Sequence, residues 1–280
     1  MYLLFDIGGT NMRLAVSKDG KGFGEPVIVP TPQNFSSGIG EIARIAKELS
    51  GGEAITNGAG GIAGPLDRQR AMLVNAPHLS DWAKKPLKAE LEKALTAPVH
   101  IENDAAMVGL GEAVYGAGKG HGIVVYITVS TGIGGARIVN GRIDSSAYGF
   151  EPGHQIIQFD SAITCPGCGG AGHLEGFTSG TAVERKYGKK PHDVTDEAVW
   201  DEVAKYLAIG LNNTIVHWSP DAVVMGGSMM IKKPGVDINR VREYIDKTLT
   251  IFPNKPELKL AELGHVGGLW GALAYLNSKM

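Results

Sequence analysis

Residues 2–17 read YLLFDIGGTNMRLAVS. Two apolar runs predict β-strands, and Gly8, Gly9 and Thr10 between them predict a tight turn. Glycines in such a turn let backbone N–H groups approach a phosphate, and the Thr10 hydroxyl adds a donor. Asp6, at the end of the first run, has a carboxylate that can hold Mg²⁺ through water. A plain hairpin containing one aspartate has the same residues, so this stretch alone leaves both interpretations open.

A second stretch of this kind, TVSTGIGGARIV, occupies residues 128–139. Thr131 supplies a hydroxyl, and Gly132 and Gly134 leave room for the backbone to approach a phosphate. The competing interpretation is a dinucleotide-binding fingerprint, in which G-x-G-x-x-G opens a helix. Residues 136–139 (ARIV), which follow the glycines, predict a strand instead of a helix, and this favours a phosphate-binding hairpin.

The hydrophobic periodicity predicts α/β structure in both halves of the chain. The two glycine hairpins open the two halves, so we expect two related α/β lobes with a cleft between them. Residues 149–182 have few apolar runs and are predicted to form an irregular insert. The predicted strands lie at 26–29, 54–63, 99–101, 122–129, 135–139 and 222–225, and the predicted helices at 39–49, 87–95, 103–114, 197–218, 239–249 and 269–276. The predicted lobes are a small one of residues 1–103, against which a terminal helix within 266–280 packs, and a large one of residues 104–265.

Glu102, Asn103 and Asp104 follow a short strand and begin a predicted helix. The helix dipole favours an acid at this place whatever its function, and asparagine or aspartate is a common N-cap. The functional interpretation is an asparagine that binds a sugar beside a general base.

The predicted insert contains a set of metal-binding residue types: His154, Cys165, Cys168 and His173. Two cysteines and two histidines can close a tetrahedral zinc site, which is usually structural. A redox-active Cys-x-x-Cys pair is the alternative.

A third glycine motif follows the apolar run at 222–225. Gly226 and Gly227 end this predicted strand and could let the backbone meet an adenosine, although a strand end that needs only a tight turn would have the same pattern.

The composition limits the classes of partner. The net charge is −2 and 43% of residues are apolar, so nothing indicates that bulk charge holds a nucleic acid or a membrane. The start of the chain lacks the features of a secretory signal, and we expect a cytoplasmic protein. Glycine makes up 40 of 280 residues, about 14% against a usual ~7%, and is concentrated in the motifs above.

Together these motifs resemble those of the ROK family of bacterial sugar kinases, in order and spacing and over essentially the whole chain. The resemblance rests on residues 6–13 and 131–135, on 76–82 (APHLSDW), on 102–104, on 151–154 (EPGH), and on Glu175 with Ser179-Gly180. It implies a two-lobed actin-like ATPase (ribonuclease H-like) fold, with the active site in a cleft between the lobes and a zinc-stapled insert.

The resemblance also implies an ATP-dependent hexose kinase that uses Mg²⁺. Asp104 would be the general base, and glucose, through its 6-OH, is the first choice of substrate. An N-acetylhexosamine kinase or a fructokinase of the same family is the alternative. The resemblance assigns the sugar to Asn103, Asp104, Glu151, His154 and Glu175, the ATP to Asp6, Gly8, Gly9, Thr10, Thr131, Gly132, Gly134, Gly226 and Gly227, and structural zinc to His154, Cys165, Cys168 and His173. Family members are often homodimers.

The sequence departs from the family pattern in places. The first cysteine of the insert stands one residue early, and His173 replaces a cysteine, although both can still bind zinc. Pro152 stands where an aliphatic residue is usual. The family also contains transcription repressors with an N-terminal helix-turn-helix, which has no place before a strand that begins at residue 2, so a sugar-sensing regulator is disfavoured.

Overall fold

The structure is a computed structural model that describes residues 1–76 and 79–279. Pro77 and His78, which belong to the 76–82 motif, lie outside the described residues. The strands are β1 (Tyr2–Ile7), β2 (Asn11–Ser17), β3 (Val27–Pro30), β4 (Asn57–Ile62), β5 (Val99–Asn103), β6 (Ile123–Val129), β7 (Ile133–Val139), β8 (Arg142–Ile143), β9 (Ala222–Gly226) and β10 (Glu257–Leu260). The helices are α1 (Phe35–Leu49), α2 (Leu87–Leu95), α3 (Asp104–Val114), α4 (Leu174–Thr178), α5 (Gly180–Tyr187), α6 (Glu197–Trp218), α7 (Ser228–Ile231), α8 (Ile238–Thr248) and α9 (Gly267–Asn277).

Strand β1 is the centre of a five-stranded sheet with the order β3-β2-β1-β4-β5. It pairs with β2 in antiparallel and with β4 in parallel orientation. Successive side chains of a strand point to opposite faces, so Leu3, Phe5 and Ile7 enter a core shared with α1 and α2. Burial of each such side chain contributes about 1.5–3 kcal/mol. Asp6 points to the other face, where a Cβ added to Gly268 of α9 would lie 3.0 Å from its Cγ.

The second five-stranded sheet repeats the first, with the order β10-β9-β6-β7-β8. Its central strand β6 is antiparallel to β7 and parallel to β9, as β1 is to β2 and β4. Val125, Ile127 and Val129 of β6 enter a core to which α6 and α8 contribute. The repeated strand order confirms the predicted α/β class with two related halves.

The chain divides into two compact units. The first comprises Met1–Gly116, Gly141–Gly149 and Leu263–Met280, and the second comprises Ala117–Asn140 and Phe150–Glu262. In the first unit α9 packs on α3, β1 and β4. The backbones of α3 and α9 come so close that a Cβ added to Gly271 would lie 1.7 Å from the Met107 carbonyl oxygen, which only glycine permits.

Some predicted boundaries were wrong. Residues 149–182 are not irregular throughout, because α4 and the start of α5 lie there. Helix α4 has five residues, too few to display a helical period. It is held by packing on α6, where a Cβ added to Gly210 would lie 2.4 Å from Leu174 Cδ2. Helix α3 begins at Asp104 rather than at Asn103, because Asn103 is its N-cap. In residues 1–76 and 79–279, no helix has both the length and the apolar character needed to cross a bilayer.

Candidate active site

Asp6 lies at the end of β1 with its carboxylate largely buried. Its Oδ2 accepts a hydrogen bond from Arg13 Nη1 on β2 at 3.3 Å, because the antiparallel register places these two residues opposite each other. Burial, and then the negative charge of Asp104, raise the pKa of Asp6 from 3.8 to about 6, against the opposing effect of Arg13. Because burial makes the charged form of this carboxylate unfavourable, a bound cation would stabilise it. Mg²⁺, which prefers oxygen ligands, is such a cation.

The turn after β1 is fixed by bonds to its carbonyl groups. Gly8 N–H donates to the Asn11 carbonyl at 3.0 Å, which closes the turn. Thr31 Oγ1 donates to the Gly8 carbonyl at 2.7 Å, and Gln33 Nε2 donates to the Gly9 carbonyl at 3.2 Å. The carbonyl oxygens of the turn are therefore held by neighbouring side chains, and Thr10 is exposed.

Asn103 and Asp104 occupy the start of α3. Asn103 Oδ1 accepts from Ala106 N–H at 3.3 Å as an N-cap, and its Nδ2 donates to the Gly64 carbonyl at 3.3 Å. The two halves of the amide thus tie the helix start to the loop that follows β4.

Asp104 stands on the backbone of β4, where a Cβ on Gly61 would lie 2.9 Å from its Cα. Burial raises the pKa of Asp104, although the Ala105 N–H that donates to its Oδ1 at 2.9 Å acts in the other direction. A carboxyl group whose pKa is raised toward neutrality is a better proton acceptor than a solvated aspartate.

In the second unit, the hairpin between β6 and β7 is held from α5 and α4. Gly180 N–H donates to the Ser130 carbonyl at 2.7 Å, and Thr181 Oγ1 donates to the Thr131 carbonyl at 3.0 Å. Ile133 N–H donates to Glu175 Oε2 at 2.8 Å. The hairpin is therefore bonded to α4, within the insert, and to the start of α5, at its end.

A cavity of about 400 Å³ opens beside this hairpin. Gly227 directly precedes Ser228, which lines the cavity. Gly227 has φ +88°, and a Cβ at this position would lie 2.3 Å from the Val129 carbonyl oxygen. The turn after β9 therefore requires glycine. Of the predicted phosphate-binding residues, Thr131 lines the cavity. Several lining residues were missed because no motif marks them: Thr181, Glu184, Lys190, Met229, Lys232 and Lys233.

The four predicted metal ligands converge. The ligand atoms of His154, Cys165, Cys168 and His173 all lie within 4.8 Å of one another. His154 Nδ1 is 3.5 Å from each cysteine sulfur, and His173 Nδ1 is 3.3 Å from Cys168 Sγ. In a tetrahedral zinc site with bonds of about 2.3 Å to sulfur and 2.0–2.1 Å to nitrogen, these atoms would lie about 3.6 Å apart. The geometry fits zinc.

The remaining predicted sugar ligands lie around this cluster. His154 turns Nδ1 toward the sulfurs, and its Nε2 lies 3.8 Å from Glu151 Oε2. Glu175 is 7% exposed and accepts backbone N–H groups at both carboxylate oxygens. In the first unit the fold thus groups Asp6, its turn, Asn103 and Asp104; in the second it groups the β6–β7 hairpin, the metal cluster, Glu151 and Glu175.

Comparison with known proteins shows similarity over the whole chain. The ROK family is matched by residues 2–279. The glucokinase of Thermotoga maritima is 34% identical over 98% of this chain and 96% of its own length. The ROK hexokinase of Thermus thermophilus has a TM-score of 0.85 at 30% identity, with 99% of both chains covered. A ROK family glucokinase from Streptomyces griseus, in complex with glucose and AMPPNP, has a TM-score of 0.78 at 26% identity, with 99% of this chain and 100% of that chain covered.

Proposed function

The chain belongs to the ROK family, and we propose that it transfers the γ-phosphoryl group of ATP to a hexose, with glucose as first choice and its 6-OH as acceptor. The similarity to glucokinases over nearly the whole chain supports a sugar kinase as the class of enzyme. The observation that carries the reaction chemistry is Asp104, a carboxyl group of raised pKa at the start of α3. It shares a unit with Asp6 and the glycine turn after β1.

Asp104 acts on the acceptor hydroxyl. Its carboxylate accepts the proton as the hydroxyl oxygen attacks the γ-phosphorus, which is worth about 10²–10⁴ in rate for a single general base. Asn103 is assigned to position the sugar beside Asp104. Its hydrogen bonds to Ala106 and Gly64 fix the orientation of its amide.

The phosphate groups are assigned to the two glycine turns. Gly8 closes the first turn through its own N–H, and Gly9 and Thr10 present a backbone N–H and a hydroxyl donor to a phosphate. Thr131, Gly132 and Gly134 are assigned the same role in the second unit. Gly226 and Gly227 allow the adenosine to approach the end of β9. Asp6 would hold Mg²⁺, which neutralises charge on the phosphates when bound. Phosphoryl transfer depends mostly on such positioning and charge stabilisation.

The sugar-binding residues of the second unit are assigned as Glu151, His154 and Glu175. His154 Nδ1 belongs to the metal cluster, so its Nε2 remains to meet a sugar hydroxyl, and a metal on one nitrogen would fix the tautomer and orientation of the ring. Cys165, Cys168 and His173 complete the zinc ligands. A site closed by four protein ligands is structural, so the zinc takes no part in phosphoryl transfer.

The test is ADP release, coupled to an indicator reaction, across glucose, fructose, mannose, N-acetylglucosamine and N-acetylmannosamine. We expect one hexose to be preferred, and its 6-deoxy form to give no sugar phosphate, because sites that pair a hydroxyl reject analogues that lack it. Preference for an N-acetylhexosamine or fructose would select the alternative kinases. ATP hydrolysis that is indifferent to sugar would indicate another kind of ATPase, and sugar binding without turnover would favour a sugar-sensing regulator.

A further inference from the structure

Glu175, the second residue of α4, lies between two segments that the proposed function treats separately. On one side Ile133 N–H of the β6–β7 hairpin donates to Oε2 at 2.8 Å. On the other side Gly167 N–H donates to Oε1 at 3.1 Å, and Cys165 Sγ lies 3.2 Å from the same oxygen. One buried carboxylate therefore joins the β6–β7 hairpin to the loop that holds both cysteines.

Glycines on both sides make this junction possible. A Cβ added to Gly132 would lie 2.7 Å from Glu175 Oε2, and a Cβ added to Gly167 would lie 2.6 Å from Oε1. Contacts this short are not tolerated by a real Cβ, so the carboxylate is enclosed by two segments that carry no side chain where they meet it. Gly132 thus has a packing reason as well as a proposed phosphate-binding one.

The cysteine loop can respond to the metal cluster. Gly167 lies between Cys165 and Cys168, whose sulfurs both approach His154. Cys165 N–H donates to the Gly170 carbonyl at 2.8 Å and Gly169 N–H donates to the Cys165 carbonyl at 2.9 Å, so the loop is a tight turn. A metal that fixes both sulfurs would fix the Gly167 N–H between them, and with it one oxygen of Glu175.

We propose that Glu175 is a positioning residue that couples the metal cluster to the phosphate-binding hairpin, so that zinc occupancy sets the affinity of the hairpin for a nucleotide. This rests on the proposed function, in which the hairpin binds ATP phosphates. It adds to the assignment of Glu175 as a sugar ligand, which predicts an effect on sugar affinity alone. A carboxylate has about four lone-pair positions, so two backbone donors leave capacity for a sugar hydroxyl.

The coupling is measured as a cycle of binding constants without sugar. Calorimetry gives the Kd of Mg·AMPPNP for the full chain, zinc-loaded and zinc-stripped, in wild type and in Glu175→Gln. Glutamine has one acceptor oxygen and can satisfy only one of the two N–H groups. We expect stripping to weaken binding in wild type by about 5–150-fold, the usual range for coupled sites, and to have little further effect in Glu175→Gln. Amide hydrogen exchange of residues 130–135 should be faster in zinc-stripped wild type than in zinc-loaded wild type.

Two more variants separate this role from others. In Gly167→Ala the added Cβ displaces Glu175 Oε1 from the cysteine loop, at a position far along the chain from the hairpin. This variant should also weaken nucleotide binding, and it replaces Glu175→Gln in the test if that variant does not fold. Asp160→Asn changes an exposed carboxyl group outside the assigned sugar, nucleotide and metal sites and should leave the nucleotide Kd unchanged. Equal Kd values for loaded and stripped wild type, or the same loss on stripping in Glu175→Gln, would overturn the coupling. If zinc-loaded wild type binds no Mg·AMPPNP, the proposed function fails instead.

Discussion

Arg70 and Glu102 form a largely buried ion pair, with Arg70 Nε 3.0 Å from Glu102 Oε2 and side chains only 22% and 11% exposed. Arg70 lies in the loop after β4 and has φ +54°, an unfavourable backbone conformation for a side chain of this size. Glu102 is in β5, one residue before Asn103. The pair therefore holds the loop against the strand that leads into the assigned sugar site, alongside the Asn103–Gly64 hydrogen bond.

Replacing Arg70 with methionine should loosen this loop. Burial raises the pKa of Glu102 and Arg70 opposes that rise, so the variant leaves a buried acid without its cation at neutral pH. We expect unfolding to become easier by about 1–3 kcal/mol, the cost of an unsatisfied buried polar group, and the sugar KM to rise with a smaller change in the nucleotide KM. Denaturant melts and steady-state kinetics measure both.

Arg70, Glu102 and Arg142 line one cavity of about 460 Å³, and Arg142 is exposed. Arg142→Met is therefore the matched control. Its stability and sugar KM should stay near those of wild type. Arg70→Gly also removes the ion pair but is free to adopt positive φ, so it should lose less stability than Arg70→Met. Equal sugar KM values in wild type and Arg70→Met would refute a role of the pair in holding the site.

Asp104→Asn keeps the size of the side chain and cannot accept the proton. We expect turnover to fall by about 10²–10⁴ while calorimetry still detects sugar binding. In wild type, because burial raises the pKa of Asp104, the acid side of the kcat profile should fall at a higher pH than an ordinary aspartate would give. Turnover near that of wild type in Asp104→Asn would assign the base to another residue.

The extent to which sequence predicted these features follows from how local they are. The glycine turns and the Cys/His set depend on residues that are adjacent or in one short segment, and the sequence predicts them. The Arg70–Glu102 pair, the lysines beside the β6–β7 hairpin and the two-sided contacts of Glu175 join segments far apart in the chain, with no repeat or spacing to mark them. Helix α4 was missed for a different reason, because one turn of helix shows no periodicity.

His173 tests the metal cluster. Elemental analysis of purified wild type should give one zinc per chain after gel filtration. His173→Cys supplies a ligand that zinc also accepts and should keep the metal, whereas His173→Ala should lose it and lower the melting temperature, since structural zinc binding contributes folding free energy. His217→Ala, at an exposed histidine on α6, should change neither. Fully active protein without metal would move the redox interpretation of the cysteine pair ahead.

Asp6 offers a test in which stability and activity move in opposite directions. The folded protein raises the pKa of Asp6 from 3.8 to about 6, so between these values the folded state binds more protons than the unfolded chain. The stability linked to Asp6 is therefore fully present below pH 4 and is lost as the pH rises through about 6; a shift of this size corresponds to about 3 kcal/mol. Asp6→Asn removes the titration, so the stability of the variant relative to wild type should increase from pH 4 to pH 7 and then level off, while Mg²⁺-dependent turnover falls. Urea melts at several pH values measure the difference, with Asp160→Asn, at an exposed carboxyl group, as the control that should show no such trend. A stability difference that is flat across this range would mean that the buried carboxylate is not held at the expense of folding, and that Arg13 compensates its charge in full.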